Sequence, residues 1–256
     1  MFFLFRALVS LFFRGQEIKT TTSQTEVSLF SKSSGMSKKT IRKMILAGMN
    51  ICRINFSHCK QQVAEQIISI VSELNEELNV NVGLLGDLQG PKLRIGPVEN
   101  NTYLTKNNEI IIQEGFKTSN NKNIFIPHHN IINDIKTGEK ILLDDGKIVL
   151  KVVRIIDMGA ICTIIQGGEL SANKGFNLPN STLSIPTMTK KDNSDLLFCI
   201  KHNIEWIALS FVRTGSDMVK LRQIIKSHQS ESKIIAKIEK PEAIKNLKSI
   251  VSNSDA

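Results

Sequence analysis

Strand-like and helix-like segments alternate along this chain, with strand starts about 30 residues apart, the length of one β–α–β repeat. Residues 50–56 read as a strand, and residues 61–78 place Val63, Ile67, Ile70, Val71, Leu74 and Leu78 at helical spacing. Residues 82–87 then form an apolar run that ends in Asp87, just before a Gly90-Pro91 break. The rhythm resumes after Pro186. Thr189 is placed to cap a helix over 189–202, with Asp192 three residues on as a capping box. A strand over 205–211, a helix over 216–227, a strand over 233–239 and a last helix opening at Pro241 follow. In that last helix Ile244, Leu247 and Val251 are expected to face inward. A shorter amphipathic helix, 38–47, precedes the first strand, with Ile41, Met44 and Ile45 on one face and Gly48 as its stop. This order predicts an α/β fold of the (β/α) barrel kind. Four such strands are too few to close a barrel of eight, so open edges are expected at 50–56 and 233–239.

Residues 97–186 break the pattern. Short alternating runs at 108–113, 123–126, 140–143, 147–156 and 160–166 read as strands, and Asp144-Asp145-Gly146 is a hairpin turn signal. No helix is expected there. The segment reads as a small all-β insert that folds by itself. At the start, MFFLFRALVSLFFRG is apolar but interrupted by Arg6 and too short to span a bilayer. Residues 16–37 are polar and rich in Ser and Thr, reading as loop or disorder. Residues 1–36 therefore stay unassigned, and no membrane partner is expected.

The net charge of +9 favours anionic partners. Its Lys and Arg residues are scattered and match no nucleic-acid motif, so phosphorylated small molecules are the plainer choice and a nucleic-acid binder ranks last. Cys52, Cys59, Cys162 and Cys199 form no C-x-x-C pair and no zinc spacing. They read as reduced, half-buried thiols of a cytoplasmic protein. The sequons at Asn100 and Asn180 are expected by chance in an Asn-rich chain.

Barrel chemistry sits where strands end. Arg53, Asn55 and Ser57 alternate onto one face of the first strand, and Asp87 ends the second. The third ends in Ser210-Phe211-Val212-Arg213, and the fourth puts Lys237 and Glu239 on one face. Each has a plainer reading: a solvated edge for the first, a turn cap for Asp87, an ion pair for Lys237 and Glu239. Taken together they suit a phosphate held by Arg, a cation held by oxygen ligands and charge stabilised by Lys.

Six motifs in this order, AGMNICRINFSH, GDLQGPKLRIG, ILLDDGKIVL, KGFNLP, ALSFVR and AKIE, resemble the pyruvate kinase family from about residue 37 to 256. The resemblance implies a partial (β/α)8 TIM barrel over 37–96 and 187–256, with a small β-barrel domain inserted at 97–186. It implies phosphoryl transfer from phosphoenolpyruvate to ADP, giving pyruvate and ATP in glycolysis, with Mg2+ or Mn2+ and K+. Carried over by motif, Arg53 would hold the substrate phosphate and Lys237 would stabilise the phosphoryl group in flight and the enolate. Asn55, Ser57, Asp87 and the backbone of Leu88 would ligate potassium, and Glu239 the divalent ion. Asn55, His58, Arg94 and Lys174 would contact the nucleotide. Asp87 and Glu239 are thus expected to serve cations and not to act as structural ion-pair partners.

The chain also departs from the family pattern. The family's first strand has no recognisable counterpart, and Cys59 stands where a Gly follows the FSH triplet. The sequence stops where the family's sixth strand begins, before a Gly-Asp metal site. These departures imply an N-terminal fragment, inactive alone, of an enzyme whose full-length members are homo-oligomers. The alternative is a non-catalytic remnant that binds phosphometabolites or a complementing chain.

Overall fold

The computed structural model describes residues 27–29, 37–179, 181 and 184–256. The apolar N-terminal stretch and the sequon at Asn180 lie outside them. Strand β1 (Val27–Leu29) comes first, then α1 (Lys38–Leu46), β2 (Ile51–Asn55), α2 (Gln61–Leu78) and β3 (Gly83–Asp87). Ser37 caps α1 by accepting from the Thr40 N–H at 3.3 Å. Asn79 ends α2 in the left-handed conformation, which Asn tolerates at a helix C-terminus. Within 16–37, read from sequence as loop, β1 pairs in parallel with β2. Two earlier expectations are thereby corrected: there is a strand ahead of Lys38, and the 50–56 edge is not open. A strand edge offers unpaired N–H and C=O groups, and even three residues of a Ser/Thr-rich segment can satisfy them.

Residues 91–186, with residues 240–242, form a compact unit of their own. It holds β4 (Tyr103–Leu104), β5 (Glu109–Glu114), β6 (Asn123–Ile126), β7 (Lys140–Leu143), β8 (Ile148–Ile156), β9 (Gly159–Gln166), β10 (Gly168–Glu169) and β11 (Phe176–Asn177). A six-stranded sheet runs in the order β11-β7-β8-β9-β5-β6, while β4 and β10 pair separately. Leu104, Ile110, Ile112, Ile124, Ile141, Leu150 and Cys162 are among its core residues. At the β7–β8 hairpin, Asp144, Asp145 and Gly146 all have positive φ, which suits Asp and Gly.

The other unit is completed by α3 (Lys190–Lys201), β12 (Trp206–Leu209), α4 (Gly215–Ser227), β13 (Lys233–Ala236), residues 243–245 of α5 (Pro241–Lys245), and α6 (Leu247–Ser252). Its sheet runs β1-β2-β3-β12-β13, with every neighbouring pair parallel. Cys52, Ile54, Phe56, Leu84, Ile207, Leu209 and Ile234 join the core with residues of α1 to α4 and α6. Strand alternation puts Arg53, Asn55, Leu85, Asp87 and Ala208 on the opposite face. Beyond β13, the Asp255 N–H donates to Ile234 O at 2.9 Å and the Ala236 N–H to Ala256 O at 3.0 Å. The second edge expected to be open is therefore partly covered as well.

The last helix is two short ones, split at Asn246, whose amide donates to Arg213 O at 3.0 Å. Its inward face also differs from expectation. Ile244, Leu247 and Val251 are exposed, whereas Ala243 and Ile250 are buried. Ala243 and Ile250 lie seven residues apart, and the small Ala allows close approach where Ile244 would not. The four cysteines are buried outright, not half-buried. Burial pushes the Cys52, Cys162 and Cys199 thiols up to about 12.

Buried carboxylates secure two helix starts. Asp192, with no exposure, accepts from the Thr189 N–H at 2.8 Å in the expected capping box, and its other oxygen accepts from the Gly90 N–H at 2.9 Å. Asp217 accepts from the Arg213 and Thr214 N–H groups, both at 3.0 Å, and from the Thr187 hydroxyl at 2.8 Å. Burial works to raise the Asp217 pKa, but the Thr187 hydroxyl, those two N–H groups and the Arg213 charge outweigh it and hold the carboxyl below its ordinary value. Its stabilising effect is full above the unfolded carboxyl's pKa and is lost as pH falls through the lowered one. Asp217→Asn should therefore flatten the acid limb of a stability-versus-pH curve, read by urea midpoints between neutral pH and pH 2.

Gly86 packs where a Cβ would meet Cys199 Sγ at 2.6 Å. Gly86→Ala is expected to cost about 1–3 kcal/mol of stability, as overpacking does. Urea unfolding should show it, and the Gly86→Ala, Cys199→Ala double variant should recover most of the loss.

Candidate functional site

Strand parity delivers the site. Asn55 and Asp87 are register partners on β2 and β3, and Ala208 of β12 lies across from Asp87 on its other side. Arg53 sits two residues earlier on the same face, opposite Leu85. At the far side Leu209 pairs with Ala236, so the residues that follow, Ser210 and Lys237, leave neighbouring strands together. Their side chains meet: Lys237 Nζ donates to Ser210 Oγ at 3.0 Å.

Asp87 is the centre, with 2% of its side chain exposed. One oxygen accepts from Arg53 Nε at 2.9 Å and Nη2 at 2.5 Å. The other accepts from Lys237 Nζ at 3.0 Å. Lys237 also faces Glu239 Oε1 at 3.4 Å, and Glu239 Oε2 accepts from the Phe211 N–H at 3.1 Å. The two cations, with side-chain exposures of 20% and 19%, balance the two carboxylates. The expectation that Asp87 and Glu239 are not ion-pair partners is thus corrected. The parallel register brings Arg53 and Lys237 to Asp87 from either side, and a buried carboxylate requires such partners.

The turn after β2 is held locally. Asn55 Oδ1 accepts from the Ser57 N–H at 2.9 Å, an Asx turn, and the His58 N–H donates to Asn55 O at 3.1 Å. Lys191 reaches from α3 to donate to Phe56 O at 2.7 Å and to Asp195 at 2.5 Å. Gln61, at the start of α2, donates to the other Asp195 oxygen at 2.9 Å. Lys191, Asp195 and Gln61 had no role in the sequence reading, since nothing in their spacing marks them as partners of this turn. Ser210 was seen only as part of a strand end. Its hydroxyl donates to Leu88 O at 2.5 Å, beside its bond from Lys237.

Arg94 and Lys174 belong to the 91–186 unit. Arg94 Nη1 donates to Asn173 O at 2.6 Å, and Lys174 Nζ pairs with Asp144 at 3.0 Å. The Lys174 ammonium, ahead of the opposing effect of burial and with help from Lys147, holds the Asp144 carboxyl below the usual range. Among the described residues no group of three or more His, Cys, Asp or Glu side chains is placed to hold a metal. The potassium set implied by the resemblance is of a different kind: an amide, a hydroxyl, a carboxylate and a carbonyl, all hard oxygen donors carrying one negative charge. That donor chemistry fits a monovalent ion. For a divalent ion Glu239 is a single carboxylate and fits only as one ligand among several.

Asp87→Asn should destabilise the chain by about 3 kcal/mol, as loss of one member of a buried ion pair does. Guanidinium unfolding checks this; an unchanged midpoint would mean that the Arg53 and Lys237 pairs contribute nothing to stability.

A family model described as pyruvate kinase, barrel domain, matches residues 23–256, a span that includes β1. Pyruvate kinase of Buchnera aphidicola subsp. Schizaphis graminum is 36% identical over 222 residues, covering 84% of this chain and 46% of the relative. The Staphylococcus epidermidis enzyme is 37% identical over 222 residues, covering 86% and 38%. A crystal structure of a pyruvate kinase from Cryptosporidium parvum superposes with a TM-score of 0.83 at 28% identity, over 88% of this chain and 48% of that one. The chain spans less than half the length of these relatives. With the barrel-domain match running through all of its described residues, the chain belongs to the pyruvate kinase family.

Proposed function

We propose that this chain carries phosphoryl-transfer machinery of the pyruvate kinase kind, moving phosphate from phosphoenolpyruvate to ADP to give pyruvate and ATP. The observation that carries the reading is the meeting of Arg53 and Lys237 on Asp87, at strand ends of a chain in this family. Phosphoryl transfer asks a protein mainly for positioning and charge. Arg53 offers a planar fork that fits two phosphate oxygens. Lys237 supplies a compact positive charge for the phosphoryl oxygens in flight and for the enolate left behind. Asn55, Ser57, Asp87 and the Leu88 carbonyl would hold K+, and Glu239 would contribute to Mg2+ or Mn2+, ions that neutralise the charge of the transferring oxygens. Asn55 and His58 border the same turn and are proposed to meet the nucleotide; the same role for Arg94 and Lys174 rests on their motifs.

We also propose that residues 97–186 are an inserted all-β domain of the family's barrel type. Its separate apolar core and its six-stranded sheet support this. No helix among the described residues is long and apolar enough to cross a membrane. With four buried thiols and no disulfide among the described residues, a cytoplasmic setting is proposed.

The chain is expected to bind phosphoenolpyruvate and, with Glu239 as the one carboxylate assigned to the divalent ion, to form no pyruvate. No observation favours the non-catalytic alternative. Calorimetric titration with phosphoenolpyruvate in Mg2+ and K+ tests binding, and Arg53→Met or Lys237→Met should weaken it about 10–100-fold, the worth of a charged hydrogen bond. Equal binding by all three proteins would sink the residue assignment. Pyruvate formation that survives further purification and vanishes in Lys237→Met would overturn the inactivity and keep the assignment.

A further inference from the structure

The corner that follows β12 is built with unusual backbone and unusual closeness. Phe211 has φ +57°, a left-handed conformation that bulky side chains rarely adopt. Gly90 lies against it, with φ +69°, and a Cβ there would meet Phe211 Cδ2 at 2.8 Å and Ser210 Cβ at 3.0 Å. The left-handed turn at Phe211 aims its N–H at Glu239 Oε2, 3.1 Å away. One residue earlier, Ser210 is 3% exposed and its Oγ stands between Leu88 O at 2.5 Å and Lys237 Nζ at 3.0 Å.

A serine hydroxyl has one proton to give and lone pairs to accept with. The short bond to Leu88 O takes the proton, so the lone pairs face the Lys237 ammonium. Asp87 Oδ1 lies 3.4 Å from the same hydroxyl, too far to compete for that proton. Lys237 therefore meets acceptors on three sides: Asp87, Ser210 and Glu239. Two of these are carboxylates, which hold a flexible ammonium by charge and so leave its direction loose. Ser210 is the neutral, directional one, and the Leu88 carbonyl fixes the direction.

We propose that Ser210 is a positioning residue: its hydroxyl, oriented by the Leu88 carbonyl, sets where the Lys237 ammonium stands, with Gly90 and the left-handed Phe211 holding the corner in shape. The proposal rests on the phosphoryl-transfer reading of Lys237. It adds a residue that touches neither phosphate nor metal in that reading and acts through one that does.

The test is the side-chain ammonium resonance of Lys237 in nitrogen-15 correlated spectra of the full chain, assigned by its absence in Lys237→Arg. The Lys191 ammonium, bonded to Phe56 O and Asp195, is the internal control. In Ser210→Ala the Lys237 signal is expected to broaden away while that of Lys191 persists. Phosphoenolpyruvate affinity should fall about tenfold or more, as when a partner orienting a binding group is removed. Persistence of both resonances, or loss of both, would overturn the proposal, the second because the hydroxyl would then serve the fold at large. Unchanged affinity in Ser210→Ala would overturn it too. Failure of the parent chain to bind phosphoenolpyruvate would instead strike the phosphoryl-transfer reading, and the resonances would still decide the role of Ser210.

Discussion

A carboxylate with 2% exposure, shared between a guanidinium and an ammonium, is the constraint on which the first unit depends. Asp87 is tenable there because Arg53 and Lys237 come to it from strands on either side. Their arrival requires the parallel register of β2, β3, β12 and β13 to be right to the residue, since a slip by one would send each side chain into the apolar layer. The layer behind the sheet is tight for the same reason. Gly86, one residue before Asp87, leaves room for Cys199 of α3, and the sheet and helix close together there.

The connections repeat this logic with other carboxylates. Asp192 joins the start of α3 to Gly90, three residues past the end of β3. Asp217 joins the start of α4 to Thr187 and to the segment leaving β12. Asp195 ties α3, through Lys191 and Gln61, to the turn after β2. Each is a buried acid with its oxygens satisfied by named donors, and among the described residues no buried side-chain polar atom lacks a partner. The geometry at the strand ends is thereby held by groups that also cap the helices.

Much of this was legible in the residues, and the reasons are specific. Helix α2 matched its apolar spacing from Gln61 to Leu78, because an eighteen-residue amphipathic run carries several turns of signal. Strands β6 and β7 and the Thr189 capping box matched for similar reasons of local chemistry. Strands β4, β10 and β11 are two residues each, and two residues have no period to read. Strand β1 hides in a Ser/Thr-rich segment and exists through its pairing with β2. The site divides in the same way. Arg53, Asp87, Lys237 and Glu239 stood out as charges on buried strands. Their mutual pairing joins residues 34 and 150 apart in sequence, which no local pattern encodes. Ser210 carries no charge and no spacing, so only the atoms around its hydroxyl reveal it.

The sealed thiols have a consequence for the chain's chemistry over time. Cys199 has no exposure and faces Gly86 across a gap too small for one more carbon, so an added oxygen would have no place to sit. Cys52 and Cys162 are equally enclosed. A thiol titrating at about 12 offers almost no thiolate to an oxidant near neutral pH. Oxidative damage at these sulfurs must then wait for the structure to open, and its rate becomes a clock for unfolding. Cys52 and Cys199 lie in the core behind the sheet that bears Asp87, and Cys162 lies in the core of the other unit.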